Sequence, residues 1–377
     1  MTVKAESLPA RPAARWSDRL LILLFAVFIL LPVTLHLTGV AQTTARDEMR
    51  NLVQRPRLPM TLDAWRSFGS QIDSYVSDHF GLRPYLLAAA NRLNFAVRLP
   101  GGGNRVALLG KDDWLYWRND IEQHSGLKLL GQWEIDAWTR SLDHLHDWLA
   151  SQGIRFVFVI APDKSEIYPE HLPDGVPAAP FTALDQLAAA LSAQKKFDFI
   201  DLRLLLKAAK SQGQLYYKTD SHWNSLGAHL ALERVLQGRL PPGDALPAFA
   251  DYNLDPKPFA GDLVQLLGLS CCISEPRGEL VRKFPDPVKD SGFAVKDGQE
   301  ARWVDTTHRD LPPIFVYGDS FSDAWLAPLS DVASRVVYRR NDHPLHASEV
   351  LAEKPGLFIY EIVQRRVSEP PQPLVFP

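Results

Sequence analysis

The sequence predicts an α/β protein: a parallel sheet covered by helices on both faces, preceded by one transmembrane helix. Three observations carry this expectation. Short apolar runs alternate with segments of helical periodicity over about residues 130–365. One uncharged apolar stretch near the N-terminus is long enough to cross a bilayer. Two cysteines in 377 residues exclude a scaffold built on disulfides.

From Leu20 to Ala45 there is no Asp, Glu, Lys or Arg, and Leu20–Val40 is mostly Leu, Ile, Val and Phe. Those 21 residues, as a helix, span roughly 32 Å against a hydrocarbon core of about 30 Å. Arg11, Arg15 and Arg19 precede the run, which leaves residues 1–19 cytoplasmic and exports the rest. Gly39-Val40-Ala41 offers a peptidase small residues. The apolar run nevertheless exceeds the ~7–15 residues of a signal core, so residues 20–41 read as an uncleaved anchor.

Residues 46–110 read as a membrane-proximal lead-in with helices over Thr61–Asp78 and Pro84–Val97. Gly101-Gly102-Gly103 lacks the Gly-Lys-Ser/Thr ending of a phosphate loop and reads as a flexible connection. Val106–Trp117 has the pattern of a hairpin turning at Lys111-Asp112-Asp113. Ile135, Trp138, Leu142, Leu145 and Leu149 step by three and four as one helix, stopped by Gly153, and Ile154–Ile160 follows as a buried strand. Further helices are expected near Ala183–Ala193, Leu202–Lys210 and Ser225–Gln237, with strands at Phe197–Ile200, Leu215–Tyr217, Ile314–Tyr317, Arg335–Tyr338 and Leu357–Ile362. The stretch from about Leu240 to Pro312, rich in Pro and Gly, reads as an irregular excursion over the sheet edge.

A net charge of −3 argues against nucleic acid as a partner. The cysteines are neighbours, Cys271-Cys272, whose Cα atoms lie ~3.8 Å apart, below the usual disulfide range of about 4.4–6.8 Å. A vicinal bridge between them is possible but strained; they cannot staple a long loop, and they lack the further ligands a zinc site needs. They read as structural or incidental.

Chemistry concentrates in two segments. Ser320, in Tyr317-Gly318-Asp319-Ser320-Phe321-Ser322, follows the apolar run Ile314-Phe315-Val316, where a strand-to-loop turn displays a nucleophile. Asp220 and His222, in Thr219-Asp220-Ser221-His222-Trp223-Asn224, follow Leu215–Tyr217. In an extended segment residues i and i+2 share a face, so the carboxylate can hold one imidazole nitrogen and leave the other for Ser320. The expected roles are Ser320 as nucleophile, His222 as proton shuttle, and Asp220 as orienter. The Ser320 backbone N–H is the expected oxyanion donor.

Alone, Gly-Asp-Ser is more often a turn, and Asp-x-His more often a surface pair or the start of a helix capped by Asn224 or Ser225. Asp319 and Ser322 are expected to serve the turn. Trp223, Tyr317 and Tyr360 lie near strand ends and are candidates for a sugar-stacking floor, with core packing as the common alternative. No metal or cofactor is expected, because no third cluster joins Asp220 and His222 at ligand spacing.

With these motifs the chain resembles the alginate O-acetyltransferases of the AlgJ/AlgX type, within the SGNH-hydrolase-like group. Ordinary SGNH esterases carry Asp and His after the serine, and the reversed order here points to the acetyltransferase branch. The likeness extends to Asp78–Arg83, Gly110–Tyr116, Ala161-Pro162-Asp163-Lys164, Gly261-Asp262-Leu263 and Tyr360-Glu361, covering about residues 46–365. It implies an SGNH-like catalytic domain over 111–377 with Asp220, His222 and Ser320 as its triad. It further implies acetylation of an exopolysaccharide in the periplasm. The implied partners are a membrane-bound O-acyltransferase that supplies acetyl groups, and other polysaccharide export proteins. The chain ends soon after its last expected strand, as in the AlgJ type, without the C-terminal carbohydrate-binding module of the AlgX type. Ser221 stands where the family uses Thr. Two rivals remain: a carbohydrate acetylesterase using the same triad, and a non-catalytic glycan-binding scaffold of an export complex.

Overall fold

The computed structural model describes residues 16–38, 52–296, 299–369 and 374–375. The chain divides into two compact units, Met1–Arg92 and Leu93–Pro377. The first holds an apolar helix, Trp16–Leu37. Among the described residues it is the one helix long and apolar enough to cross a membrane. It begins four residues before the expected span, and residues 39–41 of that span lie outside the described residues. A second helix, Leu62–His79, starts at Thr61, whose hydroxyl accepts the Ala64 N–H.

In the second unit the hairpin forms as expected, β1 (Ala107–Leu109) antiparallel to β2 (Leu115–Trp117). Asp112 and Asp113 take left-handed φ at its turn. β3 (Arg155–Ala161) pairs parallel with β4 (Asp198–Asp201). Next come a hairpin of β5 (Tyr252–Phe259) with β6 (Glu275–Arg282), then β7 (Val288–Lys296), β8 (Gln299–Thr306) and β9 (Ile314–Gly318). β10 (Arg335–Arg340), β11 (Leu345–His346), β12 (Leu357–Val363) and β13 (Leu374–Val375) complete the strands. The main sheet runs β4-β3-β12-β9-β10-β8-β7. Its first five strands are parallel, and β8 and β7 add antiparallel.

The core explains the layers. In β3, Phe156, Phe158 and Ile160 face one side, packed on Trp138, Leu142 and Leu149 of the helix Gln132–Ser151 and Leu187 of the helix Ala183–Gln194. Val157, Val159 and Ala161 face the other, against Leu206 and the helix Ser225–Leu236 with Ala228, Leu232 and Val235. Each fully buried Phe, Leu, Ile or Val side chain among them contributes about 1.5–3 kcal/mol. This burial on both faces is why the parallel strands read as unbroken apolar runs.

Two expectations are corrected. Leu215–Tyr217 is not a strand of the sheet; Tyr216 makes one isolated antiparallel bridge with Trp223. The stretch 240–312 is not irregular, since it builds β5–β8. Most of β5 is exposed, so its pairing leaves no apolar pattern to read. Cys271 and Cys272 are bonded to each other, with Cα atoms 3.8 Å apart.

Candidate active site

β9 is fully buried, and the chain turns sharply at its carboxyl end. A Cβ on Gly318 would collide with the Ser322 hydroxyl, so only glycine lets the strand run so close to the turn that follows. Asp319 shapes that turn. Its Oδ1 accepts the Phe321 N–H at 3.0 Å and its Oδ2 the Val363 N–H at 2.7 Å. Glu361 on β12 backs it, accepting the Asp319 N–H at 3.1 Å and the Ser322 hydroxyl at 2.6 Å. Burial first, and then the charge of Asp319, push the Glu361 carboxyl well above the usual carboxylate range. Ser320 thus opens a short 3-10 turn, half-buried, with its N–H among those a helix start leaves without an internal partner.

The second segment comes to it from across the fold. His222 Nε2 lies 2.7 Å from Ser320 Oγ, and His222 Nδ1 lies 2.6 Å from Asp220 Oδ1. The pairing of Asp220 with His222 arises differently from the expected extended segment. The chain turns tightly, and Asp220 Oδ1 also accepts the His222 backbone N–H at 2.9 Å. Asn224 then caps the following helix, accepting from Leu226 and Gly227. Burial opposes the His222 imidazolium, but the hydrogen bond and charge of Asp220, with the charge of Asp262, outweigh it and raise its pKa. Burial likewise opposes the Asp220 carboxylate, yet His222 and two backbone N–H groups hold it well below its ordinary range. The pair is therefore set as carboxylate and proton-accepting imidazole, with a serine hydroxyl at the free nitrogen.

Residues 107–338 match the family model described as SGNH hydrolase-like domain, acetyltransferase AlgX. The chain belongs to that family. It is 32% identical over 192 residues to the probable alginate O-acetylase AlgJ of Pseudomonas syringae pv. tomato, covering 49% of this chain and 48% of the relative. It is 28% identical over 227 residues to the Pseudomonas putida protein of the same description, covering 58% and 56%. The chain thus spans about half the length of the curated relatives it matches. Among solved structures, Bacillus cereus PatB1 with a sulfonyl adduct superposes with TM-score 0.54 at 15% identity, over 70% of this chain and 97% of that one. A DHHW family protein from Eubacterium siraeum does so with TM-score 0.55 at 13% identity, over 71% and 94%. At these identities the likeness shows the fold alone, an α/β sheet flanked by helices.

The family segment contains two positioning residues to which the sequence alone assigned no role. Asp262 opens the short helix Asp262–Leu266. Its N–H donates to Asp220 Oδ2 at 2.8 Å, and its carboxylate accepts from Ser221 N at 2.7 Å and Ser221 Oγ at 2.5 Å. Its Oδ2 stands 3.7 Å from His222 Nδ1. Gly261 permits this approach, since a Cβ there would collide with the Thr219 carbonyl and lie 2.6 Å from Asp220 N. Lys164 is fully buried, and its ammonium donates to the carbonyls of Tyr217 and Lys218 at 3.1 Å each and of Asp220 at 2.6 Å. Burial pulls its pKa down to about 8. Both residues lie in segments singled out for their resemblance, but only tertiary contact reveals what they hold.

Trp223, Tyr317 and Tyr360 are corrected to core residues. Trp223 donates to the Phe321 carbonyl at 3.0 Å and packs against Phe321 and Trp325. Tyr317 donates to the His343 carbonyl at 2.6 Å, and Tyr360 packs on Phe158 and Tyr317. All three are at most 4% exposed, which leaves no ring face for a sugar. Among the described residues, Asp220, His222 and Asp262 are the one group close enough to share a metal ion. Asp262 is thus a third group at ligand spacing that the sequence did not place beside Asp220 and His222, and every carboxylate oxygen of the three accepts a hydrogen bond within the network.

Proposed function

We propose that this protein is an O-acetyltransferase that moves acetyl groups onto hydroxyls of an exported polysaccharide through an acetyl-Ser320 intermediate. The observation that carries the reading is the continuous chain Ser320 Oγ–His222 Nε2 and His222 Nδ1–Asp220, at 2.7 and 2.6 Å, in a member of the AlgX acetyltransferase family. Ser320 Oγ attacks the carbonyl carbon of the acetyl donor while its proton passes to His222 Nε2. The tetrahedral oxygen takes the Ser320 N–H. The bond to the donor breaks, and Nε2 returns the proton to the leaving group. A glycan hydroxyl then gives its proton to Nε2 and attacks the acetyl-serine ester. The ester C–Oγ bond breaks and Oγ recovers the proton. Asp220 keeps the imidazole in the tautomer that both halves need.

The anchor helix supports a single-pass inner-membrane protein with residues 1–19 cytoplasmic, 46–110 as lead-in, and the domain from 111 onward in the periplasm. A membrane-bound O-acyltransferase as acetyl source and polysaccharide export proteins as neighbours belong to the same reading. So does the AlgJ description of the relatives, which supports alginate or a similar exopolysaccharide as acceptor.

The test is transfer from an activated acetyl ester with and without polysaccharide. Glycan-dependent acetylation, with a peptide containing Ser320 trapped carrying one acetyl group, is expected. Acetyl release to water that the glycan does not alter would favour the acetylesterase. Full polymer acetylation by a stable Ser320→Ala protein would favour the scaffold.

A further inference from the structure

We propose that the helix Leu62–His79 lies on the outer surface of the lipid bilayer with its apolar side in the headgroup–acyl boundary. This rests on the reading of Trp16–Leu37 as a membrane anchor. At 100° per residue the helix divides cleanly. Leu62, Trp65, Phe68, Ile72 and Val76 fall on one half of the cylinder, and Asp63, Ser67, Ser70 and Ser74 on the other. No residue of this helix is buried, and Leu62, Trp65, Ile72 and Val76 are 86, 55, 41 and 54% exposed. Eighteen residues make a strip roughly 27 Å long. An apolar strip of that length left in water marks a surface that something covers.

Its neighbourhood within the first unit identifies the cover. Tyr75 stacks on His79 with centroids 4.1 Å apart, and His79 meets the edge of His36, in the last turn of the apolar helix, at 5.6 Å. Just beyond, Gly81 runs so close that a Cβ there would collide with the Pro32 carbonyl. The C-terminal end of the amphipathic helix is thereby pinned where the apolar helix ends, at the level where an anchor leaves the bilayer. The nearest apolar phase for its exposed side is the membrane itself, and Trp65 and Tyr75 are residue types that favour that boundary. The polar side pairs Arg66 with Asp63 at 3.1 Å and carries no excess of cations. Attachment by this surface therefore depends on apolar insertion and not on anionic lipid.

The test is a nitroxide scan over residues 62–79 of the full chain, in a C271S/C272S background, in bilayer nanodiscs of phosphatidylcholine with and without phosphatidylglycerol. The ratio of oxygen to nickel-chelate accessibility should oscillate with a period of about 3.6 residues. Maxima are expected at 65, 72 and 76, minima at 67, 70 and 74, with no change between the two lipid mixtures. A flat profile overturns the inference, and so does shielding of 65, 72 and 76 from both reagents, which would mean that a protein covers the face. Labels at Phe25 and Phe28 separate the two readings. Oxygen-rich signals there with a flat scan sink only this inference, whereas oxygen-poor signals sink the anchor and the inference together. A lipid-borne carbene photoprobe gives a second readout on the unaltered chain. Adducts at Trp65, Ile72 and Val76 support the inference, and adducts confined to residues 16–37 overturn it.

Discussion

Replacing Asp262 by Asn removes one negative charge 3.7 Å from His222 Nδ1 while keeping an oxygen that can accept from Ser221. Coulomb's law gives about 1 kcal/mol for that separation in a water-like medium and about 4–5 kcal/mol at an effective dielectric of 20. The two side chains are 25 and 29% exposed, so solvent screening places the effect near the lower end. About 1 kcal/mol corresponds to roughly 0.7 of a pKa unit. The sign follows from the site. Asp262 helps raise the His222 pKa, so its removal lowers that pKa and leaves the imidazole neutral at lower pH. The acid limb of the kcat/KM–pH profile should therefore move down by about half to one unit. The plateau should fall about fivefold, because the imidazolium formed in the proposed acyl transfer loses the same stabilisation. The measurement is acetyl transfer across pH, paired with NMR titration of His222 in an S320A background. An acid limb that stays put or moves upward would refute the electrostatic role given to Asp262.

Lys164→Met should strand the buried carbonyls of Tyr217 and Asp220, while the Lys218 carbonyl keeps the Leu115 N–H, and should cost about 2 kcal/mol or more in urea unfolding, with the proposed transfer lost because the Asp220 loop is no longer held. Gly261→Ala forces a Cβ into the Thr219 carbonyl and should cost about 1–3 kcal/mol. Its kcat should fall more than its KM rises, since the strain falls on the bonds that orient Asp220. Glu361→Gln tests the raised carboxyl. The folded protein keeps that proton above pH ~4.5 while the unfolded chain loses it, so wild-type stability declines as pH rises toward the folded pKa. Gln holds its donor at every pH, so the Tm of the variant should gain on wild type between pH 5 and pH 8; a constant difference would count against a protonated Glu361.

Much of the candidate site was legible because the groups it brings together are short-range in sequence. Asp220 and His222 are two residues apart, and Ser320 ends an apolar run that could only be a buried strand. The positioning residues were not legible in the same way. Asp262 lies 42 residues from Asp220 and Lys164 lies 56 away, and nothing local says that their polar atoms turn toward one loop. The aromatics at strand ends misled for a related reason. Periodicity says which way a ring points, but not whether a helix closes over it, and Phe321 and Trp325 cover Trp223.

The order of chemical groups along the chain, the apolar strands β3, β9, β10 and β12, and the membrane-length helix were all determined by sequence alone. Each depends on residue type and spacing within a single segment. Tertiary structure alone decided the 2.7 Å meeting of His222 with Ser320, the pairing of β5–β8, and the conversion of Trp223, Tyr317 and Tyr360 into core. Those outcomes depend on long-range packing, where free energy is gained only when distant segments exclude water from one another.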